Sequence, residues 1–115
     1  MPKPRAPHSP HSRYREAQRI TVLPLDHGLP VPDIPEGRDW SEHERAYWKE
    51  LWETSQASQW DDSTVGIVAA VVVYWSAILA GTASNTQHME YRHLTKDLGL
   101  TPEGMRALGW VMGDE

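Results

Sequence analysis

Apolar residues recur at helical spacing between residues 41 and 112, and their pattern predicts four helices. The first helix begins near Ser41, because Ser41 and Glu44 fit a capping box of the form S-x-x-E. Its apolar positions lie three and four residues apart and predict one buried face, formed by Tyr47, Trp48, Leu51 and Trp52. Glutamate and lysine residues on the opposite face indicate that this helix is amphipathic.

The second predicted helix runs from the Asp61-Asp62-Ser63 cluster to about Ala80, with Gly81 as its C-terminal stop. Its apolar stretch, residues 65–80, has no polar face and is rich in β-branched residues, which favour strands in isolation. The length of the stretch favours a helix, because an uninterrupted strand of this length would be unusual. As a helix the stretch spans about 24 Å, short of the roughly 30 Å hydrocarbon core of a membrane. We therefore expect a helix buried in protein, and no membrane partner.

Two shorter helices are predicted to follow. Ser84 and Gln87 form a second capping box, and this third helix continues to a stop at Gly99. Thr101 as N-cap and Pro102 at the first helical position predict the start of a fourth helix. The fourth helix is expected to carry Met105, Leu108 and Trp110. The predicted fold is thus an all-α bundle of about four helices with a long apolar central helix.

Residues 1–39 differ from the rest of the chain, because eight of the nine prolines lie within them. Residues 1–20 carry five bases against one acid, whereas residues 21–115 carry six bases against 15 acids. We expect a flexible basic arm at 1–39, a helical domain at 40–112 and an acidic tail at 113–115. Prolines 24, 30, 32 and 35 are expected to deny the arm a regular strand ladder. A basic arm on an acidic body suggests a nucleic-acid or other anionic partner, with a solubilising tail as the alternative.

The sequence offers no catalytic or cofactor-binding motif. With no cysteine, the chain cannot form a disulfide scaffold or use a thiolate as nucleophile or metal ligand. His88 and His93 are five residues apart, which does not match the H-E-x-x-H spacing of zinc proteases. Asp61 and Asp62 are read as helix caps. We expect no enzyme activity, no metal and no cofactor.

The predicted helices carry more apolar surface than a small monomer can easily bury, and this predicts self-association. A closed symmetric ring would cover that surface without open-ended growth. Trp48, Trp52, Trp60 and Trp75 are interpreted as core or interface residues. The predicted subunit interface comes from the second helix and consists of Val68, Val71, Val72, Tyr74, Trp75, Ile78 and Leu79.

Cationic residues are the chemical signal that remains. In the arm, Arg13, Arg15 and Arg19 surround Tyr14, and arginine binds phosphates while an aromatic ring can stack on a base. A weaker basic group on the third helix contains Arg92 and Lys96, with His88 and His93 nearby; simple surface charge is the alternative reading there. Binding through such residues would depend strongly on salt.

The order of motifs resembles a known family. A basic proline-rich arm precedes a W-x-x-x-W helix, W-D-D-S precedes the apolar helix, and LGLTPEGMRALGW follows near the end of the chain. Over residues 38–112 this order is similar to the small terminase subunits of tailed bacteriophages, particularly those of actinobacterial phages. The L-G-L-T-P element, followed by a spacer, a leucine and a tryptophan, is the most specific part of the resemblance.

The resemblance implies a role in viral genome packaging in the host cytoplasm. Small terminase subunits form rings, bind double-stranded phage DNA and present it to the large subunit, which carries the ATPase and nuclease. The matching DNA-binding residues here are Lys3, Arg5, Arg13, Arg15 and Arg19, with Arg92 and Lys96 second. By the same resemblance, Thr101–Glu115 is expected to contact the large subunit. The acidic body departs from a uniformly positive DNA-wrapping ring, and no helix-turn-helix with basic recognition residues is evident.

Two other functions remain open from the sequence. A head–tail connector or other structural ring protein would share the oligomeric helical body but would lack meaningful DNA affinity. A small DNA-binding regulator would be a dimer that recognises a specific operator. The number of copies in the assembly and the affinity for DNA would distinguish these two functions from that of a small terminase subunit.

Overall fold

The computed structural model describes residues 19–113 and is mostly helical, with one small parallel sheet. Two 3-10 turns, Ser55–Gln59 and Asp62–Thr64, connect the first two helices. The helices and strands in chain order are β1 Thr21–Leu23, α1 Glu42–Trp52, α2 Val65–Ala80, α3 Asn85–Asp97, α4 Pro102–Leu108 and β2 Trp110–Met112. The prediction of four helices is confirmed for this part of the chain, and the sheet is an addition to it.

The predicted starts of the first, third and fourth helices are confirmed, because each depends on local hydrogen bonds. The second start is corrected: Asp61 caps the 3-10 turn Asp62–Thr64, and α2 begins after it at Val65. Ser41 and Ser84 both complete capping boxes, with Glu44 and Gln87 as the reciprocal partners. Thr101 caps α4 through its side-chain oxygen, which accepts from the Gly104 backbone N–H at 2.9 Å. The apolar stretch of residues 65–80 is helical despite its β-branched residues.

The core lies where α2 meets α1 on one side and α3 on the other. Four tryptophans occupy it, and we call Trp40, Trp48, Trp52 and Trp60 the tryptophan cluster. The remaining core residues are Leu51, Ala57, Val68, Ala69, Val71, Val72 and Leu98. The expectation that Trp48, Trp52 and Trp60 serve in packing is confirmed by their burial.

Trp110 lies in a strand and not in the fourth helix, which corrects the sequence prediction. α4 ends at Gly109, whose φ of 75° turns the backbone into β2. β2 then pairs in parallel with β1, so that Thr21 faces Trp110 and Leu23 faces Met112. Pro24 follows the last paired residue of β1, so the ladder stops there, but the prolines do not prevent a short ladder ahead of them.

Residues 19–39 follow the surface of the helical body, so this part of the predicted arm belongs to the folded unit. Leu23 is fully buried. The Trp48 indole N–H donates to the Pro32 carbonyl oxygen at 2.8 Å, and the Trp40 indole N–H donates to the Pro35 carbonyl oxygen at 2.8 Å. Proline has no backbone N–H to donate, but its carbonyl oxygen still accepts hydrogen bonds. Here these oxygens accept from the indole N–H groups.

Val68, Val71 and Val72 are completely buried inside the protomer, so their assignment to a subunit interface is corrected. They pack against α1 and α3, where a second copy cannot reach them. The other four predicted interface residues remain at least partly accessible, with Leu79 62% exposed.

The 3-10 turn Asp62–Thr64 and α2 together form the one stretch in the described part of the chain that could cross a membrane by length and composition. That stretch runs from Asp62 to Ala80. Glu44 of α1 lies beside Ser76 of α2 and is buried there. Of the most apolar window of this stretch, 17% is buried within the protein.

Candidate nucleic-acid interface

A groove between α3 and α4 gathers basic side chains. Its volume is about 520 Å³. α3 contributes Arg92, His93 and Lys96, and α4 contributes Arg106. Thr101, Pro102 and Glu103 complete the lining. Arginine and lysine from two helices thus face one concave surface, an arrangement suited to oxyanions such as phosphate.

Gly104 brings the two helices close enough to form this groove. A side chain at Gly104 would collide with the Lys96 carbonyl oxygen and would lie 3.1 Å from the Lys96 Cα. Glycine therefore lets α4 cross the last turn of α3 at backbone contact. Arg106, two residues further along α4, lines the same groove at the end of α3.

The charges in the groove are only partly neutralised. Lys96 Nζ lies 3.6 Å from a carboxylate oxygen of Glu103, and both side chains are well exposed. An exposed ion pair at that distance contributes little stability, about 0–1 kcal/mol, and can exchange for another anion. Arg92 and Arg106 are exposed, and neither makes an ion pair within residues 19–113.

A second groove adjoins the first. Arg19 and Ile20 lie in it, and we call these two residues the root of the arm. The volume of this groove is about 650 Å³, and Arg19 and Arg106 both line it. The Thr21 backbone N–H donates to the Gly109 carbonyl oxygen at 2.8 Å. A Cβ at Gly109 would lie only 2.7 Å from the Arg19 carbonyl oxygen, so glycine allows the arm root to lie directly on the end of α4.

Arg106 joins the two grooves and thereby connects residues predicted separately from the sequence. Arg19 of the arm and the α3 residues Arg92 and Lys96 now lie along adjoining grooves. We call Arg19, Arg92, Lys96 and Arg106 the basic face. Four of the seven Lys and Arg residues described belong to it, on a part of the chain that carries 13 acids. The predicted residues Lys3, Arg5, Arg13 and Arg15 lie outside the described residues.

Sequence reasoning missed Arg106, although one signal pointed toward it. Glycine inside a helix costs about 1 kcal/mol relative to alanine, and an isolated helical glycine often marks a close approach of another segment. Gly104 is such a residue. Read in that way, it would have indicated that another segment packs closely on α4, and the structure identifies that segment as the end of α3.

The arrangement is suited to binding anions. Among the residues that the structure describes, no cluster of three or more His, Asp or Glu side chains could hold a metal ion. The strongly perturbed groups lie elsewhere. Hydrogen bonding from the Ser41 backbone N–H, with further donors on Ser76 and Arg38, lowers the pKa of Glu44 to about 2, and burial raises the pKa of Tyr47. Both residues belong to α1 and to its contact with α2.

Away from the basic face, α2 leaves an apolar surface uncovered. Leu79 is 62% exposed and Ile67 is 39% exposed. Tyr74, Trp75 and Ile78 are half-buried, and Trp75 stacks on Tyr47 with ring centroids 4.0 Å apart. The exposed residues lie at both ends of α2, while its middle is buried against α1 and α3.

Comparison with known proteins adds no relative to this picture. No family model, no curated protein and no solved structure matches the chain.

Proposed function

We propose that the protein is a non-catalytic DNA-packaging subunit of the small terminase type, which binds double-stranded phage DNA through its arm and the basic face. The observation that carries this proposal is the position of Arg106. It links the groove that holds the arm root to the groove between α3 and α4. Cations predicted from two distant sequence segments therefore form one binding surface.

Electrostatics explains how an acidic protein can bind DNA in this way. The 13 acids of residues 19–113 outnumber the seven Lys and Arg residues, so the body as a whole repels a phosphate backbone. The screening length is about 10 Å at 0.1 M salt, so a phosphate held in the groove responds mainly to the nearest charges. DNA contact is then restricted to the basic face and to the arm that begins beside it. Such contacts bind any sequence, and base or shape recognition would add to them.

Self-association through α2 is the second part of the proposal. The exposed apolar residues at its ends can be covered by neighbouring copies, and a cyclic arrangement closes such an interface. Each copy would add one arm and one basic face. Several weak contacts then act together, and multivalency raises the overall affinity well above that of one protomer.

The remaining parts of the proposal follow the sequence resemblance. The large terminase subunit, which carries the ATPase and nuclease, is the proposed protein partner, and the host cytoplasm is the proposed location. Thr101–Glu115 is the proposed docking segment. It includes α4 and β2, so DNA and the large subunit would meet the same region of the small subunit.

A salt-dependent DNA titration of a double variant tests the DNA-binding part. We expect Arg92→Ala/Arg106→Ala to lower the affinity by about tenfold or more and to flatten the plot of log K against log salt. Each lost phosphate contact removes about 0.9 from that slope. Arg45→Ala/Lys49→Ala removes the same charge from exposed positions on α1 and is the matched control. Equal losses in both variants would show a general charge effect and contradict the assignment of the basic face.

Native mass spectrometry tests the assembly. We expect a single closed ring of roughly eight to eleven copies, which cyclic symmetry permits. Leu79→Glu should shift this ring toward smaller species while the protomer remains folded, since Leu79 is exposed.

A ring without DNA affinity would indicate a connector or other structural ring protein. A dimer would favour a small DNA-binding regulator, and a chain that requires detergent would place α2 in a membrane.

A further inference from the structure

A small pocket on the tryptophan cluster is not used by the proposed function. It lies where the segment after β1 passes over the end of α1 and has a volume of about 160 Å³. Trp52 and Trp60 form its aromatic walls and meet edge to face, with ring centroids 5.1 Å apart. Asp61 and Asp62 stand at its edge, and no lysine or arginine from residues 19–113 lines it. His27, Leu29, Pro30 and Ala57 complete the lining.

Trp52 has an unused hydrogen-bond donor. It is buried to 7% exposure, and its indole N–H is the one buried side-chain nitrogen or oxygen in the described part of the chain with no partner. The other three members of the cluster donate to backbone carbonyl oxygens: Trp40 to Pro35, Trp48 to Pro32 and Trp60 to Leu98. A buried donor without an acceptor costs about 1–3 kcal/mol, so Trp52 would gain from a ligand that supplies one.

The walls of the pocket are held in place. The Leu29 backbone N–H donates to His27 Nδ1 at 2.9 Å, which leaves His27 Nε2 to donate to the Trp52 carbonyl oxygen at 3.0 Å. Ser63 donates to Asp61 from both its backbone N–H and its hydroxyl group. These bonds lower the pKa of Asp61, so its carboxylate remains charged near neutral pH.

The combination of features identifies a ligand class. Proline-rich segments in the polyproline conformation bind to grooves lined by aromatic side chains, and acidic residues at the edge select flanking cations. Contacts between tryptophan and proline of this kind already occur within the protein, since two tryptophans donate hydrogen bonds to carbonyl oxygens of its own prolines. The pocket is therefore suited to a basic, proline-rich peptide.

We propose that this pocket binds the proline-rich basic stretch at residues 2–7 of the protein's own arm. That stretch reads P-K-P-R-A-P and supplies Lys3 and Arg5 between prolines. Its charge complements Asp61 and Asp62. β1, which follows the arm directly, packs beside the 3-10 turn Ser55–Gln59 that leads into Trp60. Residues 5–18 would span about 40 Å in a polyproline conformation, and this is close to the maximum reach of the tether between Arg5 and the described part of the chain.

Attachment within one chain favours this occupant over a separate peptide. A short tether gives the arm an effective concentration in the millimolar range at the pocket, so a weak contact is sufficient. In the bound state Lys3 and Arg5 would be held on the tryptophan cluster and away from a phosphate backbone. Docking of the arm itself does not require that the protein bind DNA.

Zero-length cross-linking of the full chain, without DNA, tests this contact. A carbodiimide couples an amine to a carboxylate that it touches, and the chain contains only three lysines. We expect mass spectrometry to find Lys3 coupled to Asp61 or Asp62. The pairs Lys49–Glu53 at 2.7 Å and Lys96–Glu103 at 3.6 Å serve as internal controls for the reaction.

Two matched samples separate docking from simple attraction. Pro4→Ala/Pro7→Ala keeps every charge and leaves the folded body untouched. It should lower the Lys3 coupling about threefold or more, because alanine lacks the preference of proline for the polyproline conformation. A mixture of ¹⁵N-labelled and unlabelled protein should give cross-links within one chain only. Coupling of Lys3 spread over many surface acids, an unchanged yield in the proline variant, or labelled–unlabelled pairs would overturn the proposal.

Discussion

The tryptophan cluster and the basic face use polar groups in opposite ways. Three of the four indole N–H groups in the cluster bond to backbone carbonyls. These bonds fasten residues 32–35 to α1 and to Trp40 ahead of it, and they fasten Trp60 to the end of α3. Arg92 and Arg106 of the basic face, by contrast, are exposed and make no ion pair among the described residues. Polar groups that specify a fold are satisfied internally, whereas polar groups that bind a partner stay available to it. The same distinction predicts which substitutions change stability and which change binding.

Trp60→Ala should give the largest loss of stability and so tests the role of the cluster. The substitution removes a buried ring, leaves a cavity and takes the indole donor away from the Leu98 carbonyl oxygen. We expect the free energy of unfolding to fall by about 3–5 kcal/mol. Urea denaturation measures it. Arg92→Ala on the basic face should change the same quantity by no more than about 0.5 kcal/mol. Comparable losses in the two variants would remove the distinction between the regions.

Acid titration provides a second test of the comparison between the two regions. Its target is Glu44, a buried carboxylate of α1. Its pKa of about 2 lies below the ordinary value of 4.5, so the charged form is bound more favourably in the folded state. The stabilisation is present above about pH 5 and is lost as pH falls toward 2; at neutral pH it is on the order of 2–3 kcal/mol.

Glu44→Gln should therefore flatten the dependence of unfolding free energy on pH between about 5 and 2. Thermal or urea unfolding across that range provides the measurement. Glu53→Gln breaks the exposed Lys49–Glu53 pair and should leave the profile almost unchanged, because exposed pairs contribute about 0–1 kcal/mol. If the Glu53 variant flattened the profile as much, the hydrogen bonds to Glu44 would not be the cause.

Gly104→Ala should have a smaller effect on stability but should also reach the basic face. The added methyl group collides with the Lys96 carbonyl oxygen, and we expect a loss of about 1–3 kcal/mol. Gly66→Ala is the matched control: Gly66 lies in α2 with open space around its Cα, so alanine there should be neutral or stabilising by up to about 1 kcal/mol. DNA affinity should fall only in the Gly104 variant, where α4 must move away from α3. A Gly104 variant as stable as the control would show that the helices are not in close contact.

The helices could be predicted because their signals are local. The capping boxes at Ser41 and Ser84 and the Thr101-Pro102 start each involve residues within one turn, and sequence spacing describes them fully. The burial of Trp48 and Trp52 followed from helical spacing in the same way.

The failures concern contacts between distant segments. Trp110 was assigned to a helix because nothing near it shows that residues 110–112 pair with residues 21–23. Val68, Val71 and Val72 were assigned to a subunit interface because a helix apolar on all sides does not reveal which side its own protomer covers. Arg106 was missed for a related reason: its importance comes from a helix crossing at Gly104 that only three-dimensional packing defines. The predicted basic residues of α3 and Arg19 were found by charge alone, and the structure adds that they adjoin one another.

The pairing of β1 with β2 also affects the order in which the protein can fold. During synthesis Thr21–Leu23 emerges early, but each of its partners in Trp110–Met112 lies 89 positions later in the chain. Closing a loop of that length costs roughly 4 kcal/mol in chain entropy, and contacts so distant in sequence tend to form late. We therefore expect the helices to assemble first and the strand pair to close last. A nascent or incomplete chain would leave Arg19 unanchored, and only the finished body would hold it in the groove beside Arg106.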